Sequence, residues 1–72
     1  MARPVIRELD VVALVADLPA ERLCRGNVGT VVHCYSPDAF EVEFVDAAGH
    51  TYGLTTLAAD QLLVLHYEPA AA

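Results

Sequence analysis

The stretch Arg25-Gly26-Asn27-Val28-Gly29-Thr30-Val31-Val32, followed by Phe40-Glu41-Val42-Glu43-Phe44-Val45, decides the fold of this chain. Glycine reaches backbone conformations and close contacts that a side chain blocks, so Gly26 and Gly29 mark a turn running into a strand. Downstream, apolar and acidic residues alternate one by one, which is the two-residue period of a half-buried strand. Phe40, Val42 and Phe44 are therefore expected in the core, with Glu41 and Glu43 toward water. Register with the preceding strand suggests Thr30, Val32 and Cys34 inward, His33 and Tyr35 outward.

Working outward, the remaining elements fall into place. Leu9 to Ala16 reads as a first strand because three valines occupy the six positions 11–16, and β-branched side chains suit a pleated surface better than a helix. Val12 and Leu14 are its inward pair. Asp17-Leu18-Pro19 breaks the run, and Pro19 suits the start of a helical turn through Leu23. The second strand spans residues 28–35 and the third 40–45, joined by Ser36-Pro37-Asp38-Ala39. Asp46-Ala47-Ala48-Gly49 closes a hairpin, with Gly49 at its left-handed position. A fourth strand follows over 50–56, then a helical turn over 57–60 that Thr55 or Thr56 is placed to cap. Leu62 to His66 forms the fifth strand, with Leu62 and Val64 inward and Leu63, Leu65 and Tyr67 outward.

This pattern predicts an all-β fold: a small five-stranded SH3-like barrel with one short helical turn before the last strand. Residues 1–8 form a lead-in, 9–67 the barrel and 68–72 a disordered tail. A chain of 72 residues is one domain and buries only about 60% of its unfolded surface, so its core must be dense. Its 56% hydrophobic content meets that need.

Charge narrows the partners. Four arginines and no lysine stand against ten acidic residues, a formal net charge of −6. Such a body repels nucleic acid and anionic membrane and attracts basic partners. The apolar run Val11 to Ala16 is too short for a membrane span or a signal core. Two cysteines ten residues apart make neither a disulfide framework nor a C-x-x-C motif, which fits a reduced, cytoplasmic protein.

No constellation reads as catalytic. His33 and Cys34 point to opposite faces of one strand and cannot share a metal, and a zinc site needs four ligands from five scattered candidates. None of the three histidines has a nucleophile at fixed spacing. Glu41 and Glu43 lie roughly 6–7 Å apart on one strand face, but an open face does not split their pKa values as acid–base chemistry requires. With Asp46 they read as an acidic stripe. Arg22 and Arg25 are best read as local ion-pair partners of Asp17 and Glu21. No cofactor or metal is expected, and the chain is not expected to be an enzyme.

The fifth strand carries the main functional expectation. Two leucines and a tyrosine left wet would forfeit roughly 1.5–3 kcal/mol per leucine, so Leu63, Leu65 and Tyr67 call for a cover. Val5 and Ile6 folding back would supply one; a second molecule would supply another. Glu41, Glu43, Asp46, Leu63, Leu65 and Tyr67 are therefore the candidate partner-binding residues, for a basic protein partner or a second copy.

The Arg25–Val32 segment is similar to the glycine-valine turn of KOW-type barrels, many of which bind RNA or ribosomal proteins. A wider pattern covers Asp10-Val11-Val12-Ala13-Leu14, Asp17-Leu18-Pro19, Arg25 to Val32, Tyr35 with Pro37-Asp38, Phe40 to Phe44, and Leu57 with Ala59-Asp60-Gln61-Leu62. Over residues 9–65 it resembles a bacterial family of small stand-alone proteins, domain of unknown function 4926. The resemblance implies an SH3-like fold and an antitoxin-like or accessory role beside another gene product, and brings no catalytic residues. His33 and Leu63 depart from the charged and polar residues expected in relatives, and Leu63 enlarges the apolar outer face.

Overall fold

The computed structural model describes residues 5–66; Tyr67, the expected tail and the first four residues of the lead-in lie outside the described residues. Five strands form one antiparallel sheet: β1 (Val11–Leu14), β2 (Val28–Ser36), β3 (Ala39–Val45), β4 (Thr51–Ala58) and β5 (Leu62–Val64). Their order is β4-β3-β2-β1-β5, so the chain meanders from β1 to β4 and its last strand returns to the far side of β1. Two single 3-10 turns interrupt it, at Pro19–Glu21 and at Ala59–Gln61. The fold is all-β, as the alternation in β3 and the spacing of turn residues require. Among the described residues no helix is long and apolar enough to cross a membrane.

Boundaries shift where local hydrogen bonds take over. β1 starts at Val11 instead of Leu9, because Leu9 adopts a φ of 71° and Asp10 turns back on Arg7. β4 continues to Ala58, pushing the last helical turn to residues 59–61. Neither Thr55 nor Thr56 caps that turn; Gln61 Oε1 accepts the Ala58 N–H at 2.8 Å instead. β5 ends at Val64, two residues before the expected limit.

The core is built from one face of every strand. Val12 and Leu14 of β1, Val31 of β2, Phe40, Val42 and Phe44 of β3, Leu57 of β4 and Leu62 of β5 are buried together, with Leu23 from the β1–β2 connection. Val12, Val31, Phe40, Val42 and Phe44 are fully buried, each contributing roughly 1.5–3 kcal/mol against the entropy of ordering the chain.

Two inward assignments in β2 are corrected. Thr30 and Val32 do not face the core; Gly29 and Val31 do. The cause is a close approach that fixes the phase of the strand. Gly29 pairs with Phe44, and a Cβ built on it would lie 2.7 Å from Val42 Cγ1, 2.8 Å from the Glu43 carbonyl oxygen and 2.9 Å from Phe44 Cδ2. Only glycine fits against β3 there. Register then runs Thr30 to Glu43 and Val31 to Val42, after which Val32 is skipped and His33 pairs with Glu41. This bulge inserts one residue and reverses the alternation. Cys34 therefore returns to the core side opposite Phe40, and His33 and Tyr35 stay exposed, as the sequence suggested.

Gly26 serves the other purpose of glycine, with a φ of +89° and open space around its α-carbon. The two sites predict different penalties. Gly29→Ala should destabilise by about 1–3 kcal/mol through overpacking against a backbone oxygen that cannot move aside. Gly26→Ala should cost about 1 kcal/mol from its positive φ alone. Urea unfolding of both variants measures this; equal midpoints would contradict it.

Candidate docking face

The face of the sheet turned away from the core carries most of the candidate residues. Glu41 and Glu43 of β3 lie on it between β2 and β4, and both are half-buried instead of freely solvated. Hydroxyl groups satisfy them. Thr56 Oγ1 donates to Glu41 Oε1 at 2.7 Å, and the Tyr35 hydroxyl donates to the same oxygen at 3.3 Å. Thr51 Oγ1 donates to Glu43 Oε2 at 2.6 Å. These acids are held in place by neighbours on β2 and β4, which fixes where their charge is presented.

Tyr35 and His33 complete the rim of this pair, their rings meeting edge to face with centroids 4.6 Å apart. The Tyr35 phenol titrates above its ordinary range, first because part of its water is displaced and then because the Glu41 carboxylate opposes a second negative charge beside it.

Beside the acids runs an apolar row. Ala13 of β1 pairs with Leu63 of β5 on one side and with Val28 of β2 on the other. Val45 of β3 continues it, one residue beyond the Gly29–Phe44 pair. Leu63 is 56% exposed and Val28 43%. The next row reads Val11, Thr30, Glu43, Leu54 across β1, β2, β3 and β4. Acid and apolar rows are therefore neighbours, about 7 Å apart along the strands.

The other candidates separate. Asp46 sits at the β3–β4 hairpin, where its Oδ1 accepts the N–H groups of Ala48 and His50, both at 2.9 Å. Its carboxylate shapes the turn, together with the left-handed Gly49, while its side chain stays 46% exposed beside His50. Leu65 is half-buried and its N–H donates to the Val11 carbonyl. With Val64 and His66 it lines a shallow cleft whose other wall is Val5 and Arg7 of the lead-in and Asp10 just before β1. Ile6 packs on the core, but Val5 is 72% exposed, and among the described residues none of the lead-in covers Leu63, which is 56% exposed. Tyr67 lies outside the described residues.

Arg25 meets Asp17 through its backbone, whose N–H donates to Oδ1 at 2.8 Å, and not through the expected side-chain ion pair. Cys24 is an exposed loop thiol, and Cys34 a half-buried one against the core. Among the described residues no three His, Cys, Asp or Glu side chains converge as metal ligands would.

Residues 8–64 match the family described as domain of unknown function (DUF4926). The chain belongs to this family. No curated protein and no solved structure matches it. Sequence reasoning missed three parts of this outer face and its surroundings: the threonines that hold the glutamates, the continuation of the apolar row through Val28 to Val45, and the role of Asp46 in its own turn. The threonines had a signal, since a β4 rich in Thr must set some of them opposite β3, but which ones depends on an irregularity between Phe44 and Val45.

Removing the Glu41 charge tests this geometry. Glu41→Gln should lower the Tyr35 pKa toward the ordinary phenol range, read from the Tyr35 ring resonances during alkaline titration. An unchanged or higher value would contradict the contact.

Proposed function

We propose that this DUF4926 protein is a protein-binding module whose outer sheet face docks a partner carrying basic and apolar side chains. The observation that carries the reading is the outer-face row in which exposed Leu63 and Val28 flank half-buried Ala13 in cross-strand register, with exposed Val45 one residue beyond the Gly29–Phe44 pair, beside the held glutamates. Contiguous exposed apolar surface on a small soluble domain tends to mark an interface. The glutamates add direction, because a net charge of −6 speeds the approach of cationic surfaces and disfavours anionic ones. Their threonine partners reduce the side-chain freedom lost on binding.

An antitoxin-like or accessory role toward a neighbouring gene product is one form this docking takes, in a reduced cytoplasm that suits two free thiols. Nucleic-acid binding through the KOW-like turn is the weaker reading. Affinity for phosphate backbones needs clustered cations, and four arginines on this acidic body supply few. No catalytic role is part of the proposal.

Affinity purification of the tagged protein from its native cell, repeated with Leu63→Arg, tests the proposal. Leu63 is exposed, so the change should shift stability by no more than about 0.5 kcal/mol. A stoichiometric protein should be recovered with the natural chain, and its affinity should fall by about tenfold or more with the variant. Recovery unaffected by Leu63→Arg, or tight binding of nucleic acid in a low-salt gel shift, would overturn the reading.

A further inference from the structure

β4 pairs only with β3 among the described strands, so one edge of its eight residues is left without a ladder. The other end of the sheet, β5, is three residues long and offers little template. Soluble proteins usually protect a long edge with lysine, proline or inward charges. β4 has none of these. Its sequence, Thr51-Tyr52-Gly53-Leu54-Thr55-Thr56-Leu57-Ala58, holds no charged residue and no proline, and the whole chain lacks lysine. Leu54 on it is 58% exposed. The irregularity in β4 is confined to its start, between the Phe44–Gly53 and Val45–Thr51 pairs, and Gly53 to Ala58 run in unbroken register with β3.

We propose that the edge of β4 is a homodimer seam, at which a second copy adds its own β4 antiparallel to extend the sheet to ten strands. A twofold axis through such a seam pairs the same edge with itself, so hydrogen-bond complementarity is automatic. Charge selects this edge for a like-charged copy. Two bodies of −6 repel each other, and β4 is a strand where no charges meet face to face. Glu41 and Glu43 stand one strand back, which sets them about 14 Å from their counterparts across three strand spacings. That exceeds the screening length of about 8 Å at physiological ionic strength. The seam therefore tightens as salt rises, the opposite of binding a basic partner. An eight-residue seam falls below about 1,200 Å² of buried surface, so the dimer is reversible.

Sedimentation equilibrium over a hundredfold range of concentration, at low and high salt, tests the seam on the full chain. Molecular mass should rise from monomer toward dimer with concentration, with a tighter dimer at high salt. The double variant Leu54→Lys/Thr56→Lys sets lysines opposite Glu43 and Glu41, their partners in register, and reduces net charge from −6 to −4. It should abolish the rise although overall repulsion is smaller. Hydrogen exchange on the natural chain gives a second readout: amides of β4 should gain protection with concentration. A monomer under all conditions, a dimer that the lysines leave intact, or a dimer lost only with Leu63→Arg would overturn the proposal. Partner docking is read separately by Leu63→Arg on the natural β4, because Leu63 lies on β5 at the opposite end of the sheet, whereas the lysine variant alters both the seam and the surroundings of Glu41 and Glu43 and is scored only for self-association.

Discussion

The structure depends on the contact between Gly29 and β3. A backbone pressed against Val42, the Glu43 carbonyl and Phe44 leaves no room for a side chain, so β2 lies on β3 in a single register. A slip of one residue would turn every side chain of β2 to the opposite face, and it would drive a valine or threonine into Phe44. The bulge at Val32 is the complement of this constraint. It lets β2 begin in phase with Gly29 and end in phase with Cys34, so one long strand serves both ends of the core.

That register sorts the surface as well as the interior. With Val31 inward, Thr30 and Val28 are turned outward beside Glu43 and Val45, and β1 and β5 continue their rows to Val11, Ala13 and Leu63. The acidic pair and the apolar row are thus consequences of the packing beneath them. Hydroxyls from Thr51, Thr56 and Tyr35 then fix the acids, giving a face that is patterned, anionic and partly apolar.

Much of the fold was legible because β3 and the turns carry local signals. Alternation placed Phe40, Val42 and Phe44 correctly, and Gly26, Gly29 and Gly49 each do what their positions implied. The family resemblance was legible too, from the same residues. Strand β2 misled at Thr30 and Val32 because a run of β-branched residues has no alternation of its own, and a bulge leaves no mark in composition. The face was only half legible. Alternation put Glu41, Glu43 and Leu63 on the outer face, where the structure has them, whereas Thr51, Thr56, Ala13 and Val28 become their neighbours only through cross-strand register. Asp46 also accepts two N–H groups of its own hairpin, a role that the stripe of acids did not signal.

Cross-strand NOEs in solution test the claim most directly. Gly29 should show contacts to the Phe44 ring and Val31 to the Val42 methyls, while Thr30 contacts Glu43 on the other side of the sheet. Val32 against Val42, with Val31 facing solvent, would mean a shifted strand and would remove the common origin of the core and the patterned outer face.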